Sequence, residues 1–568
     1  MAKFNPGVYR GTASGNAPDN KPSRIEVEVT LSEDRIEAVK ILTHGEVKGV
    51  GCGIPTAPVE TLPGEIVRRQ SLNVEPTVGA EKTAKAILKA VTAAIASSGA
   101  KTAELMAPEK PEPMADAERQ VDFLILGGGV GGLAAAVEAK RAGLDVLVVE
   151  KAGVSGGSAA RSGGKLLAAG TKWQQKQGIY DSPDMLFDYM LEQSRGKADK
   201  QKLRYFCDHA YESILWLEGM GYRVQDVECI HESLFPWRVY NSPGGHYMSN
   251  GQGGEITTAL HHEYERLGGE IIFNCGLESL IRADGRITGA VCAHTCGGKL
   301  TVYARNVLLA TGGAAQDREY CEKKYGIKGY YTNVPKTNDG LGTRAALAVG
   351  AKEYDAEGIQ VNYCGLTSGI GICEEAGLTV TQQGRRVCNE WAYQYVVGDA
   401  LRAAGSRVAW YITSGGEPYP AVKAAFARGH IKGTPDCFAD SIEELAGKMK
   451  ADPEVLRGTV DRYNALAEKG EDEDFGKPAE FMFPITGPRY AAFQYTPCVT
   501  VTYGGLVTDL CARVLDTQDK PIPGFYATGE AASGALYGTV YPGCGTSIGS
   551  AILWGRVAAR MAAGLSML

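Results

Sequence analysis

Two stretches of this chain bring together residue types that can do chemistry. The first is Gly127-Gly128-Gly129-Val130-Gly131-Gly132, followed by Glu150 eighteen residues beyond Gly132. Glycine at the first, third and sixth places permits a tight turn, a close approach of backbone to a pyrophosphate and tight helix–strand packing. An acid at that distance can accept hydrogen bonds from a ribose. The second is YGTVYPGCGTSIG, residues 537–549, where glycines alternate with two tyrosines ahead of an apolar segment that reads as a helix. Such a stretch is either a surface turn that needs positive φ or a place where backbone must touch a ligand.

The elements around the first stretch decide its meaning. VDFLIL is an apolar strand, GLAAAVEAKRAG an Ala-rich helix, and LDVLVVE a second strand that ends in Glu150. Together they make a βαβ unit with a buried parallel sheet. A lone GxGxxG arises by chance in a chain with 73 glycines, but one framed by strand, helix and a downstream acid does not. Lys151 follows at once and opens KAGVSGGSAARSGGKLLAAG, a second polar, glycine-rich segment holding Ser158, Gly163 and Gly164. It can wrap a dinucleotide longer than a nicotinamide one. Far downstream, VLLATGG (307–313, with Gly312) and IPGFYATGEAASG (522–534, with Glu530) each end a strand at Thr-Gly. Contacts from such distant segments suit FAD.

At 568 residues the chain predicts about two to four domains. A net charge of −7 and the lack of any basic stripe exclude a nucleic-acid partner. No export signal follows Met1 and no run of about 18 apolar residues could span a bilayer, so a cytoplasmic protein is expected. The fourteen cysteines and eight histidines are scattered without ligand spacing, so no metal site is expected. RIEVEVTL and RIEAVKIL read as a strand pair, and Ala84, Ile87, Leu88, Val91 and Ile95 share a helical face. These predict a small α+β domain over 1–98. The Ala/Pro/Glu-rich stretch over 99–119 reads as a linker.

From about residue 120 to the C-terminus, the three cofactor segments resemble the FAD domain of the fumarate reductase and 3-ketosteroid dehydrogenase superfamily. The same holds for NDGLGTRAALAVGA (338–351, with Asp339), GRRVCNE (384–390) and YGGLVTD (503–509). The resemblance implies a Rossmann-like α/β FAD domain over 120–354 and 498–568, with an inserted α+β capping domain over 355–497. The arginines and histidines that clamp dicarboxylates in fumarate reductases are missing here. Val501, Thr502 and Tyr503 precede Gly504, and Asn362 and Tyr363 stand where the cap carries His-Pro. Carboxylates in such a site would be left unpaired, which is costly.

In their place, the C-terminal segment resembles that of 3-ketosteroid dehydrogenases. Carried over, Tyr541 offers a hydroxyl and Gly545 a backbone N–H to a ketone oxygen, a device that stabilises an enolate. Ser547 and Ile548 open a helix whose amides can face the flavin. For proton transfer at the neighbouring carbon the candidates are Tyr363, then Tyr240 in FPWRVYNSPGGH, then Tyr503, set against 27 tyrosines in all.

Residues 1–98 resemble the FMN-binding domain fused to respiratory flavin reductases, through GVYRGTASG, LTHGEVKGVG and QSLNVEPTVGAEKTAKAILKAV. That family joins FMN to a threonine, and this chain has Glu81 at the place. Glutamate cannot make the phosphoester. Thr83 lies only two residues on, and two alternatives stand beside attachment there: FMN held non-covalently near His44 and Glu46, or a domain that has lost its flavin. The intact remainder favours FMN as an electron entry port fed by an external donor.

The expected function is reduction of the C=C bond of an apolar enone, foremost a 3-ketosteroid, by a flavoenzyme carrying FAD and FMN. The alternatives are a 3-ketosteroid dehydrogenase running in the desaturating direction, a reductase of another α,β-unsaturated carbonyl compound, and a non-catalytic flavin electron carrier.

Overall fold

The computed structural model describes residues 4–15, 23–106, 114–228, 239–241, 253–356, 359–364, 377–392, 394–414, 436–487, 489–538 and 541–568. The chain divides into two compact units. One comprises Met1–Asp317, Val334–Glu357 and Tyr503–Leu568, the other Arg318–Asn333 and Gly358–Thr502.

The first unit opens with an antiparallel sheet of Gly7–Ser14, Arg24–Leu31 and Ile36–Thr43. Ile25, Val27, Val29 and Leu31 alternate inward and are at most 3% exposed. They meet Ala84, Ile87, Val91 and Ile95 on the helix Glu81–Ser97. Gly11 lets sheet and helix touch, since a Cβ there would lie 2.0 Å from the Ala90 carbonyl oxygen. This domain shares a small apolar core with the rest of its unit, built from Val47, Val50, Ile54, Ala57 and Ala80 against Val154 and Ala160.

The large sheet runs in the order Cys275–Ala283, Arg286–His294, Lys299–Leu309, Ala117–Leu126, Val146–Val149 and Glu270–Ile272. Pro521–Ala527 adds a parallel pairing to the far end of Lys299–Leu309. The strands on which the cofactor segments end are thus parallel neighbours, and their C-terminal ends open on one edge. The helix Val130–Arg141 buries nearly every residue, which its alanines permit. Against it packs the C-terminal helix Thr546–Ala562, where a Cβ on Gly555 would lie 2.3 Å from the Gly131 carbonyl oxygen.

The second unit has a sheet in the order Ile359–Cys364, Tyr490–Thr502, Ala409–Ser414 and Leu378–Thr381. Helices Ile442–Met449 and Pro453–Lys469 cover it, N-capped by the Ser441 and Asp452 side chains. Inside lies an ionic cluster that explains GRRVCNE. Arg386 bonds Glu390 at 2.8 Å and Asp472 at 2.7 Å, and Lys477 approaches Glu390 at 3.6 Å. Burial pushes the Asp472 carboxyl upward, but the Arg386 guanidinium and the Lys477 and Phe475 amides outweigh it and hold it below the usual carboxylate range.

Removing the guanidinium strands two buried carboxylates, so Arg386→Met should cost this unit about 3–5 kcal/mol, read as an earlier melting transition. Asp472 is depressed in the folded state. Its contribution is therefore present above about pH 4 and lost as pH falls through the lower folded value. The deficit of the variant against wild type should accordingly shrink in acid, and a constant deficit from pH 7 to pH 3 would count against the cluster.

Candidate active site

Gly127 ends its strand at φ 111°, and a Cβ there would lie 2.3 Å from the Ala310 carbonyl oxygen. Its own carbonyl receives Gly132 so closely that a Cβ on Gly132 would stand 2.0 Å away. Gly129 differs: nothing lies within 4 Å of its would-be Cβ, and it sits at the N-cap of Val130–Arg141. The open face of the turn is thus at Gly129, before helix amides that favour an anion. The buried Glu150 carboxylate accepts from the Gly128 amide at 2.6 Å and the Ala152 amide at 2.7 Å. Burial raises its pKa, and those two amides oppose the shift. Each oxygen keeps a lone pair, which a ribose diol could satisfy.

The second glycine-rich segment folds back on the first. The Gly156 amide donates to the Gly128 carbonyl at 2.7 Å, and a Cβ on Gly157 would lie 3.4 Å from the Gly129 Cα. Ser158 precedes the short helix Ala159–Arg161, and Gly163 and Gly164 follow it, Gly164 at φ 64°. Lys151 pairs with Asp339. Asn338, which sequence reasoning passed over within NDGLGT, joins three segments: it donates to Glu530 at 3.1 Å, accepts from the Ala315 amide at 2.9 Å, and its amide nitrogen lies 2.9 Å from a would-be Cβ of Gly312. A side-chain-free turn, helix amides, a buried acid and three converging strand ends fit a flavin dinucleotide.

At the C-terminal segment, Gly545 is the N-cap of Thr546–Ala562 at φ 94°. A Cβ there would lie 2.5–2.7 Å from backbone atoms of Leu166 and Leu167. Those two residues pair with Val239–Asn241, Leu166 directly opposite Tyr240. Gly545 and the strand bearing Tyr240 thus both meet one short strand. Tyr541 is buried, and its hydroxyl accepts from the Ser547 amide at 2.9 Å. Burial holds this phenol well above its ordinary pKa, with the Ser547 and Gly545 amides pulling the other way. Tyr537 stands edge-on between Tyr541 and Tyr503, 5.4 Å from each. Tyr363 belongs to the second unit, where its hydroxyl donates to the Ser406 carbonyl at 2.6 Å and burial pushes its pKa up to about 12.

In residues 1–98, His44 is exposed, whereas Thr83 is buried and its hydroxyl donates to the Glu46 carboxylate. The half-buried Arg161 guanidinium donates to the Gly79 carbonyl; desolvation lowers its pKa and Glu81 opposes that shift. A phosphate beside Thr83 would face the Glu46 charge, so these residues do not fit FMN there.

Residues 122–548 match the FAD binding domain family. The chain is 29% identical to urocanate reductase of Eggerthella lenta over 98% of this chain and 92% of that protein. It is 27% identical to digoxin reductase of the same organism over 79% and 88%. Among solved structures it resembles 3-ketosteroid-Δ4-(5α)-dehydrogenase of Rhodococcus jostii RHA1 in complex with 4-androstene-3,17-dione, at 26% identity and a TM-score of 0.68, covering 80% of this chain and 100% of that one.

The two glycines separate binding from folding. Gly129→Leu should lower FAD affinity at least about tenfold while the flavin-stripped protein melts as wild type does. Gly132→Ala should lower the melting temperature of the stripped protein itself. Flavin titration and thermal melts of both variants check this.

Proposed function

The chain belongs to the FAD binding domain family, and from that footing we propose that it is a flavin-dependent oxidoreductase of CH–CH bonds that reduces the C=C bond of an enone, foremost a 3-ketosteroid. One observation carries the proposal: the Tyr541 hydroxyl accepts from the Ser547 amide at the start of the C-terminal helix, next to Gly545. An accepted N–H polarises the phenol O–H and makes it a stronger donor. The kinship with urocanate and digoxin reductases supports reduction, and the likeness to a steroid dehydrogenase supports the steroid.

Bound FAD supplies hydride chemistry for the β-carbon of the enone. Tyr541 and the Gly545 amide hold the carbonyl oxygen and favour the negative charge that gathers on it as the double bond is reduced. Burial keeps Tyr541 protonated, so it donates a hydrogen bond without giving up its proton. For the proton to the α-carbon the proposal takes Tyr240, on the strand paired with Leu166 and Leu167. Tyr363 spends its proton on Ser406, which makes it a packing residue of its own unit in this state.

An FMN entry port in residues 1–98 would need a seat for its phosphate. Thr83 and Glu46 do not supply its phosphate seat, so no step is routed through it, and the reductant is an external donor. Among the described residues no helix is long and apolar enough to cross a membrane, and we place the reaction in the cytoplasm.

Tyr541→Phe should lower turnover of a 4-ene-3-ketone about 10²–10³-fold with FAD retained, assayed anaerobically with reduced viologen. Unchanged turnover would remove Tyr541 from the site. Because the phenol is held well above 10, the wild-type rate should show no break from Tyr541 ionisation up to pH 10. A panel holding urocanate, a simple enone and a 3-ketosteroid then ranks the substrates. Denaturing the protein and separating the released flavins should yield FAD alone; equimolar FMN would restore the entry port.

A further inference from the structure

The helix Lys200–Glu218 contributes a lysine that none of the chemistry above uses. Lys202 is 5% exposed, and its ammonium lines a cavity of about 20 Å³ together with Thr508, Thr528, Ser533, Ser550 and Trp554. It donates to the Thr508 hydroxyl at 2.5 Å and lies 5.8 Å from the centre of the Trp554 ring. An ammonium has three N–H groups, and the threonine takes one. Among the described residues the Trp554 indole N–H has no acceptor, and the Ser533 hydroxyl faces only the Tyr537 hydroxyl; the two residues are 7% and 5% exposed.

The surrounding charges do not settle this account. Asp199 and Asp509 attract Lys202 from a distance, but Asp199 caps its helix through the Gln201 and Lys202 amides, and Asp509 pairs with Arg513 at 2.6 Å. The Ser550 hydroxyl is committed to the Ser547 carbonyl at 3.1 Å. The Tyr537 hydroxyl lies among Ser533, Ser547 and Ser550, whose hydrogen bonding opposes its burial-driven rise to about 12. Burial lowers the Lys202 pKa to about 8, so the group is still a cation at neutral pH.

We propose that this cavity binds one small monovalent anion of halide size. A volume of about 20 Å³ takes one or two water-sized particles, the size class of a halide. Water would accept from one or two of the donors and leave the charge unbalanced. A halide accepts from the ammonium, the indole and the serine at once and neutralises a buried cation. The site is independent of the substrate assignment, since none of its donors was given a role in hydride or proton transfer.

The test uses the FAD-loaded full chain at neutral pH and fixed ionic strength, with sodium gluconate replaced stepwise by sodium chloride or bromide. Wild type should melt about 1–3 °C higher in 200 mM halide than in gluconate. Lys202→Met should lose that rise and Trp554→Phe, which removes only the N–H, should weaken it. Crystals grown in bromide should show an anomalous peak in the cavity. If Lys202→Met does not fold, the Trp554→Phe comparison carries the test. Equal melting in halide and gluconate overturns the proposal in favour of water, and a halide response that survives both substitutions assigns it to other sites and overturns it equally.

Discussion

Two backbone contacts govern everything else in the first unit: the seating of Gly132 on the Gly127 carbonyl and of Gly555 on the Gly131 carbonyl. Neither junction has room for a methyl group. The first presses the helix Val130–Arg141 onto the strand that precedes it, and the second presses the C-terminal helix onto that helix. With both contacts closed, the spacing between the two helices is set by backbone rather than by side chains, which can change rotamer. Glu138 and Arg556, paired at 3.3 Å, fasten the same two helices further along. The N-terminus of one helix carries the Gly129 turn and that of the other carries Gly545 and Ser547, so these packing contacts hold the two segments in register.

Much of this was legible in the residues, because turn glycines and strand-end acids leave a local signature. Glu150 was read from its distance to the turn and stands against the Gly128 amide. The alternation of Ile25 to Leu31 and the helical face from Ala84 to Ile95 also appear in place, although Leu88 is only partly buried. What stayed illegible depends on contacts far apart in sequence. Asn338 is one polar residue among many until Glu530, 192 residues away, closes on it. The roles of Arg386 and Asp472 in GRRVCNE and beyond could not be told from a solvated charge pattern, since spacing does not reveal burial. The tyrosines illustrate the same limit: Tyr363 and Tyr541 look alike in sequence, and only their partners distinguish a phenol that donates to a carbonyl from one that accepts a helix amide.

The N-terminal domain is held to the larger one by mixed means. Lys48 pairs with Glu255 at 3.0 Å, and the Gly153 amide donates to the Val78 carbonyl at 3.0 Å. A Cβ on Gly254 would lie 1.9 Å from the Lys48 carbonyl oxygen, so the helix Gly253–Arg266 starts hard against the domain. The segment VGAEKT, in which the resemblance placed a flavin attachment, lies at this junction, with Glu81 in the field of Arg161 and Thr83 turned to Glu46.

Arg161 itself lies on the second glycine-rich loop, between Ser158 and Gly163, and its guanidinium reaches the Gly79 carbonyl. The first hundred residues therefore act toward that loop as a tethered ligand, present at the high effective concentration that a covalent linker confers. By linkage, whatever tightens their grip on Arg161 stiffens the cofactor loop, and a cofactor settling into the loop strengthens the grip in return. Residues 1–98 and this loop meet through that bond, so a change that breaks it is felt on both sides.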